Sequence, residues 1–401
     1  ALDVPLDRVF DYATTQPNTQ MGQYVVVPFG ARKMIGVVVG ISDTTAIESK
    51  KLKSIIRLDP EVIFDEQSFK LFQFCSQYYH YPLGQTILSA VPARLKKLNT
   101  KAMVKKYLYR LTPKAIELGV DSLPTRQTIL KRIVMSLIDA TQLDEASLRS
   151  ISSTWKKSIE TLDEMGWIEK EEVTLDDKVY SQAPIPSLNT DQQKAFDAIS
   201  KTNKTFAAWL LYGITGSGKT EVYIRLIEEA LKKEHAQVLV LVPEINLTPQ
   251  LESRFRSRFE KYTLVTLHSH LTDNERLSHW RLAKEGAAQI IIGTRLSVFT
   301  PMPHLSLIII DEEHDASFKQ QEGLRYHARD VAIFRAKSEN IPIVMGTATP
   351  SVESYYNART GKYGLVNLLK RFGDSRLPEV LVADIKEETR RKKMKSHFSS
   401  F

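Results

Sequence analysis

The chain has 401 residues, 42% hydrophobic and 25% charged, ordinary for a globular protein and long enough for two or three domains with real cores. No apolar run approaches a membrane span and no charged, apolar, small-residue signal opens the sequence, so a soluble, cytoplasmic protein without a membrane partner is expected. The formal net charge of +8 favours a polyanionic partner, while one cysteine excludes a disulfide framework or a cysteine-based zinc site in this chain.

Within residues 1–100, Tyr24–Phe29 and Met34–Ile41 read as strands joined by a basic hairpin tip, Gly30-Ala31-Arg32-Lys33. Leu52–Leu58 adds a strand, and helices are expected over Glu66–Tyr81 and Leu83–Val91, giving a small β-rich domain. Cys75 falls in the first helix with Phe69, Phe72 and Tyr79 and reads as core packing. Lys96, Lys97, Lys101, Lys105 and Lys106 suit a linker, phosphate contacts or a solvated surface.

Across residues 106–180, helical patterns at Thr125–Ala140, Asp144–Ile151 and Ser153–Met165 precede Gly166-Trp167-Ile168 and Val173-Thr174-Leu175. That is the order of a winged helix, with Trp155-Lys156-Lys157 opening its recognition helix. Such a fold reads DNA or spaces protein partners, and the pattern leaves both open. Ala183-Pro184-Ile185-Pro186-Ser187 is a linker.

From 188 to 401, apolar strands at Ala207–Tyr212, Val238–Val242, Thr263–Leu267, Ile290–Gly293, Ile308–Asp311 and Ile343–Gly346 alternate with helices. The rhythm predicts an α/β, doubly wound parallel sheet. Gly213-Ile214-Thr215-Gly216-Ser217-Gly218-Lys219-Thr220 lies between the first of these strands and a helix over Lys219–Glu234. Backbone N–H groups around Gly213, Gly216, Ser217 and Gly218 can cradle phosphates, Lys219 can reach the β/γ-phosphates, and the Thr220 hydroxyl can ligate Mg²⁺. ATP with Mg²⁺ is the implied ligand.

Asp311 and Glu312 follow the apolar run Leu305–Ile310 and so stand at a strand's carboxyl end, where open α/β sheets bind ligands. Asp311 is expected to hold the Mg²⁺ hydration shell and Glu312 to polarise the attacking water, with His314 completing Asp-Glu-Glu-His. Gly346-Thr347-Ala348-Thr349-Pro350 sits at another strand end and resembles the third motif of superfamily 2 helicases, where it couples hydrolysis to domain movement. With the two motifs before it, it describes a RecA-like motor lobe.

Longer blocks narrow the resemblance. Pro243–Gln250, Leu267-His268-Ser269, Ile292-Gly293-Thr294-Arg295 and Phe318–Asp330 are similar to the primosomal protein N′ family of replication-restart helicases, as are Phe10-Asp11-Tyr12 and Val27-Pro28-Phe29-Gly30. The resemblance implies an ATP-dependent 3′-to-5′ DNA helicase that recognises stalled or abandoned forks and initiates replication restart and primosome assembly. Its implied partners are forked and single-stranded DNA, the 3′ end of a nascent strand, other primosome proteins and single-stranded-DNA-binding protein, in a bacterial cytoplasm at the nucleoid.

Carried over by position, Gln192 is implied to read adenine, since its amide can pair with donor and acceptor edges. Phe318, Lys319, Arg325, Tyr326 and Arg329 are implied to form a loop that senses single strands by stacking and phosphate contact, with Thr294 and Arg295 as further DNA contacts. Phe10, Asp11, Tyr12, Gly30 and Lys53 match a pocket for a strand's 3′ end. The family also has a second motor lobe with an arginine finger and a cysteine-rich zinc module, and neither pattern occurs here. An amino-terminal part of a longer protein, weakly active alone, is therefore expected, with zinc only in the missing part. Two other readings fit the motor motifs: a double-strand DNA translocase, and a fork-binding scaffold that binds ATP without chemistry.

Overall fold

The computed structural model describes residues 1–97, 107–124, 127–172, 186–202, 205–243 and 249–371, with Lys386 and Arg390. The expected wing strand at 173–175, the linker residues 183–185, Lys101, Lys105, Lys106 and residues 244–248 lie outside the described residues.

In the first domain, β1 (Gln23–Phe29) is the central strand, antiparallel to β2 (Arg32–Val37) and to β3 (Arg57–Val62). The third strand starts later than the Leu52–Leu58 expectation. Backbone at 53–55 instead meets the segment around residue 13, with Ala13 N donating to Lys53 O at 2.9 Å and Ile55 N to Ala13 O at 3.0 Å. Asp65 caps α1 (Glu66–Tyr78) by accepting from Ser68 N at 2.8 Å, and α2 (Leu83–Ala90) follows. Burial pushes the Cys75 thiol up to about 12, as befits an inert core residue.

The middle domain contains β4 (Tyr107–Leu111), α3 (Pro113–Leu118), α4 (Thr128–Ala140), β5 (Leu143–Asp144), α5 (Glu145–Ile151), α6 (Trp155–Glu164) and β6 (Ile168–Glu172). Its sheet runs β5-β4-β6, antiparallel throughout. Trp155, Ile159 and Leu162 turn one face of α6 into the core, which leaves Lys156 and Lys157 on the exposed side.

The third unit contains α7 (Thr190–Ser200), β7 (Ala207–Gly213), α8 (Lys219–Ala230), β8 (Gln237–Leu241), α9 (Pro249–Arg258), β9 (Leu264–Leu267) and α10 (Asp273–Lys284). It continues through β10 (Ile290–Gly293), β11 (Leu305–Asp311), α11 (Ala328–Ser338), β12 (Pro342–Thr347), α12 (Val352–Arg359) and β13 (Gly364–Leu368). Seven parallel strands run in the order β13-β7-β12-β11-β8-β10-β9. The Ile and Val runs of β8, β10 and β11 are buried on both faces, as strands flanked by helices require. Because β12 lies between β7 and β11, the carboxyl ends carrying Gly213 and Asp311 face each other across a gap of one strand.

The first domain packs directly on this lobe. The Phe64 ring is 6.1 Å from Trp280 and the Phe72 ring 6.0 Å from Phe299, while Glu61 pairs with Arg281 at 3.0 Å and Lys284 at 2.8 Å. Among the described residues no helix is long and apolar enough to cross a membrane.

Candidate nucleotide and DNA sites

The loop after β7 turns through Gly216 (φ 79°) and Gly218 (φ 81°), a left-handed backbone that a side chain would resist, and α8 begins immediately after it. Its first N–H groups and positive dipole end therefore point at the loop. Lys219 is buried and donates from Nζ to Gly213 O at 3.0 Å, with Glu312 Oε1 3.5 Å away. Ser217 Oγ is buried without a hydrogen-bond partner among the described residues, an orphan that a phosphate oxygen would satisfy. Thr220, half-buried one residue beyond Lys219, and Asp311 across the gap are the groups that fit Mg²⁺, which binds through few protein oxygens and the nucleotide's own phosphates.

Three successive acids at the end of β11 have three separate surroundings. Asp311 Oδ1 accepts from Tyr223 Oη at 3.0 Å. Burial pushes its carboxyl above the ordinary range, and the charge of Glu312 adds to this, while Tyr223 and Lys219 oppose it. Glu312 has φ 48°, a strained conformation for a residue with a side chain, and it faces Lys219. Glu313 points the other way and is wholly buried. Its carboxylate accepts from Arg329 Nη1 (3.0 Å), Ser351 N (2.8 Å), Ser351 Oγ (3.0 Å) and Ser354 Oγ (2.8 Å).

His314 bridges to the strand-end motif through Nδ1 to Thr347 Oγ1 at 2.7 Å and Nε2 to Thr349 Oγ1 at 3.2 Å. Glycine is required at 346, since a Cβ there would meet Tyr223 Oη at 1.5 Å. The sequence assigns no role to Glu313, Tyr223 or Ser351. The visible signals were the third acid of Asp-Glu-Glu-His and the Ser-x-x-Ser spacing of Ser351 and Ser354.

Gln192, expected to read adenine, lies buried beside the phosphate loop. Its Oε1 accepts from Asn189 N at 2.9 Å and its Nε2 donates to Ser217 O at 3.0 Å, so the amide ties α7 to the phosphate loop. The side chain is wholly buried, and each amide atom keeps one further lone pair or N–H beyond these bonds.

The expected single-strand loop also needs correction. Phe318 and Tyr326 cannot stack on DNA bases, because both are buried in the shared core, Tyr326 edge-on to Phe299 at 4.9 Å. Arg329 is not a phosphate contact either: it is 8% exposed and neutralises Glu313. Burial acts to lower its guanidinium pKa, but Asp330 and Glu313 more than reverse this. Lys319 and Arg325 remain at the surface, the former donating to Arg325 O at 2.6 Å and lying 5.5 Å over the Tyr79 ring. Arg295 donates to Gln320 Oε1 at 2.7 Å and Ser317 O at 3.0 Å, which anchors the loop next to half-buried Thr294.

The five strand-end residues come from segments that meet. Phe10 packs edge-on against Phe29 at 5.2 Å, and Tyr12 Oη donates to Pro28 O at 3.2 Å. Asp11 is exposed and accepts from Thr45 Oγ1 at 2.6 Å. Gly30 sits open at the hairpin tip, while the backbone of Lys53 joins through Ala13.

Comparison with known proteins agrees with this layout. The profile of the 3'DNA-binding domain (3'BD) matches residues 1–92, and that of the DEAD/DEAH box helicase matches residues 189–358. The replication restart protein PriA of Haemophilus influenzae is 38% identical over 97% of this chain and 54% of that protein. That of Bacillus subtilis is 30% identical over 96% of this chain and 57% of its own length. RecG bound to a three-way DNA junction overlaps 48% of this chain and 25% of that one, at 22% identity and a TM-score of 0.37, too slight a likeness to support an argument. The chain spans about half the length of the curated relatives it matches. With a 3′ DNA-binding domain, a helicase lobe and this identity along almost its whole length, the chain belongs to the PriA family of replication restart proteins.

Proposed function

We propose that this chain is the strand-end-binding and ATP-hydrolysing part of a 3′-to-5′ DNA helicase that recognises abandoned replication forks and starts primosome assembly. The observation that carries the reading is the convergence of Lys219 Nζ on Glu312 Oε1 at 3.5 Å, beside Asp311 and the open phosphate loop. Bound ATP would draw Lys219 toward its phosphates and so free Glu312 to orient water. Thr220 and Asp311 would hold Mg²⁺, which would supply charge neutralisation at the transferring phosphoryl group. His314 links any movement of Glu312 to Thr347 and Thr349, and Glu313 links it through Arg329 to the loop at 318–329.

Forked DNA is engaged at the 3′ end by Phe10, Asp11 and Tyr12, with Lys319, Arg325, Arg295 and Thr294 nearer the motor. Single-stranded-DNA-binding protein and other primosome proteins are the proposed partners, at the bacterial nucleoid. Any zinc would belong to the part of its relatives' length that this chain does not span. The test is ATP turnover on forked DNA by Lys219→Ala and Glu312→Gln. The first should lose nucleotide binding, and the second should bind ATP and not hydrolyse it. Parental turnover by Glu312→Gln would refute the assignment.

A further inference from the structure

The first turn of α8 carries an acid on the helix end that serves the phosphate loop. Glu221 stands two residues beyond Lys219, about 3 Å of helix rise, and is 4% exposed. A carboxylate there is favoured by the positive end of the helix dipole. The same helix end has to attract phosphates, however, and the charge of Glu221 opposes theirs.

Three guanidiniums surround this carboxylate. Glu221 Oε1 lies 3.6 Å from Arg225 Nε and 3.7 Å from Arg258 Nη2, and Glu221 Oε2 lies 3.7 Å from Arg254 Nη2. Glu221 Oε1, Arg225 Nε and Arg258 Nη2 are buried without a hydrogen-bond partner among the described residues, so these groups meet as charges and not as hydrogen-bonded pairs.

Two of the three cations come from α9. Arg258 is fixed by donating from Nε to Glu228 Oε1 at 2.6 Å, and Phe255 seats α9 in the core that holds Val222 and Leu226 of α8. Arg225, on α8 itself, donates to Glu228 Oε2 at 3.3 Å and to Pro186 O at 3.1 Å. Two acids, Glu221 and Glu228, therefore face three arginines, 225, 254 and 258, and the cluster keeps one positive charge in excess. Without the two arginines of α9, the same place would hold one negative charge in excess.

We propose that Glu221 sets the affinity of the phosphate loop for ATP without touching it, because Arg254 and Arg258 of α9 cancel a repulsion that the carboxylate would otherwise exert on the phosphates. The inference rests on the proposed nucleotide site and deepens it. It makes the seating of α9 against α8 a control on nucleotide binding, since a unit charge within one helical turn of the ligand is felt even at the effective dielectric of a protein.

The test titrates MgATP and MgADP against the parent, Glu221→Gln, Arg258→Gln and the double variant. Glu221→Gln keeps the shape and removes the negative charge, so it should tighten ATP by about threefold to tenfold, while Arg258→Gln should weaken it by a similar factor. The double variant should return close to the parent, and every shift should be smaller for ADP, which carries less charge. Both substitutions disturb one cluster, so a merely structural role would move them in the same direction. Weaker ATP binding in both single variants, or no change in either, would overturn the inference while the nucleotide site stands. Should Glu221→Gln alone not fold, the double variant against Arg258→Gln makes the same comparison: tighter ATP binding by the double variant supports the inference, and equal or weaker binding overturns it. A parent chain that bound neither nucleotide would remove the nucleotide reading itself.

Discussion

The proposed nucleotide site and the proposed strand-end pocket are built on opposite plans. At the first, Lys219, Asp311 and Glu313 are held in or against the core by bonds to β7, α8 and the start of α12. At the second, Asp11 is exposed and held by one hydroxyl, on a platform of two rings packed edge-on. A low-dielectric, prearranged site suits charge stabilisation, where a small displacement has a large effect on rate. An open pocket with one charged acceptor suits recognition of a chain end, and its ligand can leave.

The comparison is sharpest at Glu312, the proposed base. Glu312→Gln should lower ATP turnover by about 10²- to 10⁴-fold, the usual worth of a positioned base, while fork affinity stays at the parental value. Stopped-flow phosphate release and a DNA titration on one preparation check both halves. Next in size is Glu313→Ala, which leaves the Arg329 guanidinium buried with only Asp330 and Ser351 beside it. Breaking a buried pair from one side should destabilise the lobe by roughly 3–5 kcal/mol, read by denaturant unfolding. An effect within the range of surface substitutions would mean that the Glu313 network is ornamental.

These two acids also show what can be read from residues in order. The phosphate loop and the Asp311–Glu312 pair are legible because their chemistry is local: a strand, a glycine turn and a helix, or a strand and its carboxyl end. Glu313 is adjacent yet hidden, since its three partners, Arg329, Ser351 and Ser354, meet it only in the folded lobe. Phe318 and Tyr326 were misread for the same reason. Their segment has loop composition, and only packing against Phe299 and the first domain makes them core. The proposed strand-end pocket needed the family resemblance, because Phe-Asp-Tyr meets Pro28 and Phe29 only in the folded domain. β13 went unnoticed as a short run after a Gly-rich turn, its place fixed by pairing with β7.

At the other site the effects should be smaller and confined to DNA. Asp11→Ala should cost about tenfold in affinity for forks ending in a 3′-hydroxyl, the scale of one charge-assisted hydrogen bond, without changing ATP turnover at saturating DNA. A parallel loss of turnover would merge the two sites into one.

The smallest expected effect is a shift in pH dependence. Burial already raises the Asp311 carboxyl, so Mg²⁺-nucleotide binding should weaken as pH falls through a range above that of an ordinary aspartate. Tyr223 Oη donates to the charged form, and Tyr223→Phe removes that support, which moves the loss to still higher pH. A pH series of nucleotide titrations would show it, and a profile moved toward acid would contradict the role given to Tyr223.

The account's central claim is that one chain holds two separable sites, one for a strand end and one for ATP. It is tested most directly by titrating forks bearing a 3′-hydroxyl or a 3′-phosphate on the leading arm against the parent, Glu312→Gln and Asp11→Ala. A terminal phosphate sets like charge against Asp11, so the parent and Glu312→Gln should both prefer the hydroxyl fork by about tenfold, and Asp11→Ala should lose most of that preference. Equal affinity of the parent for the two forks, or loss of the preference in Glu312→Gln, would contradict it.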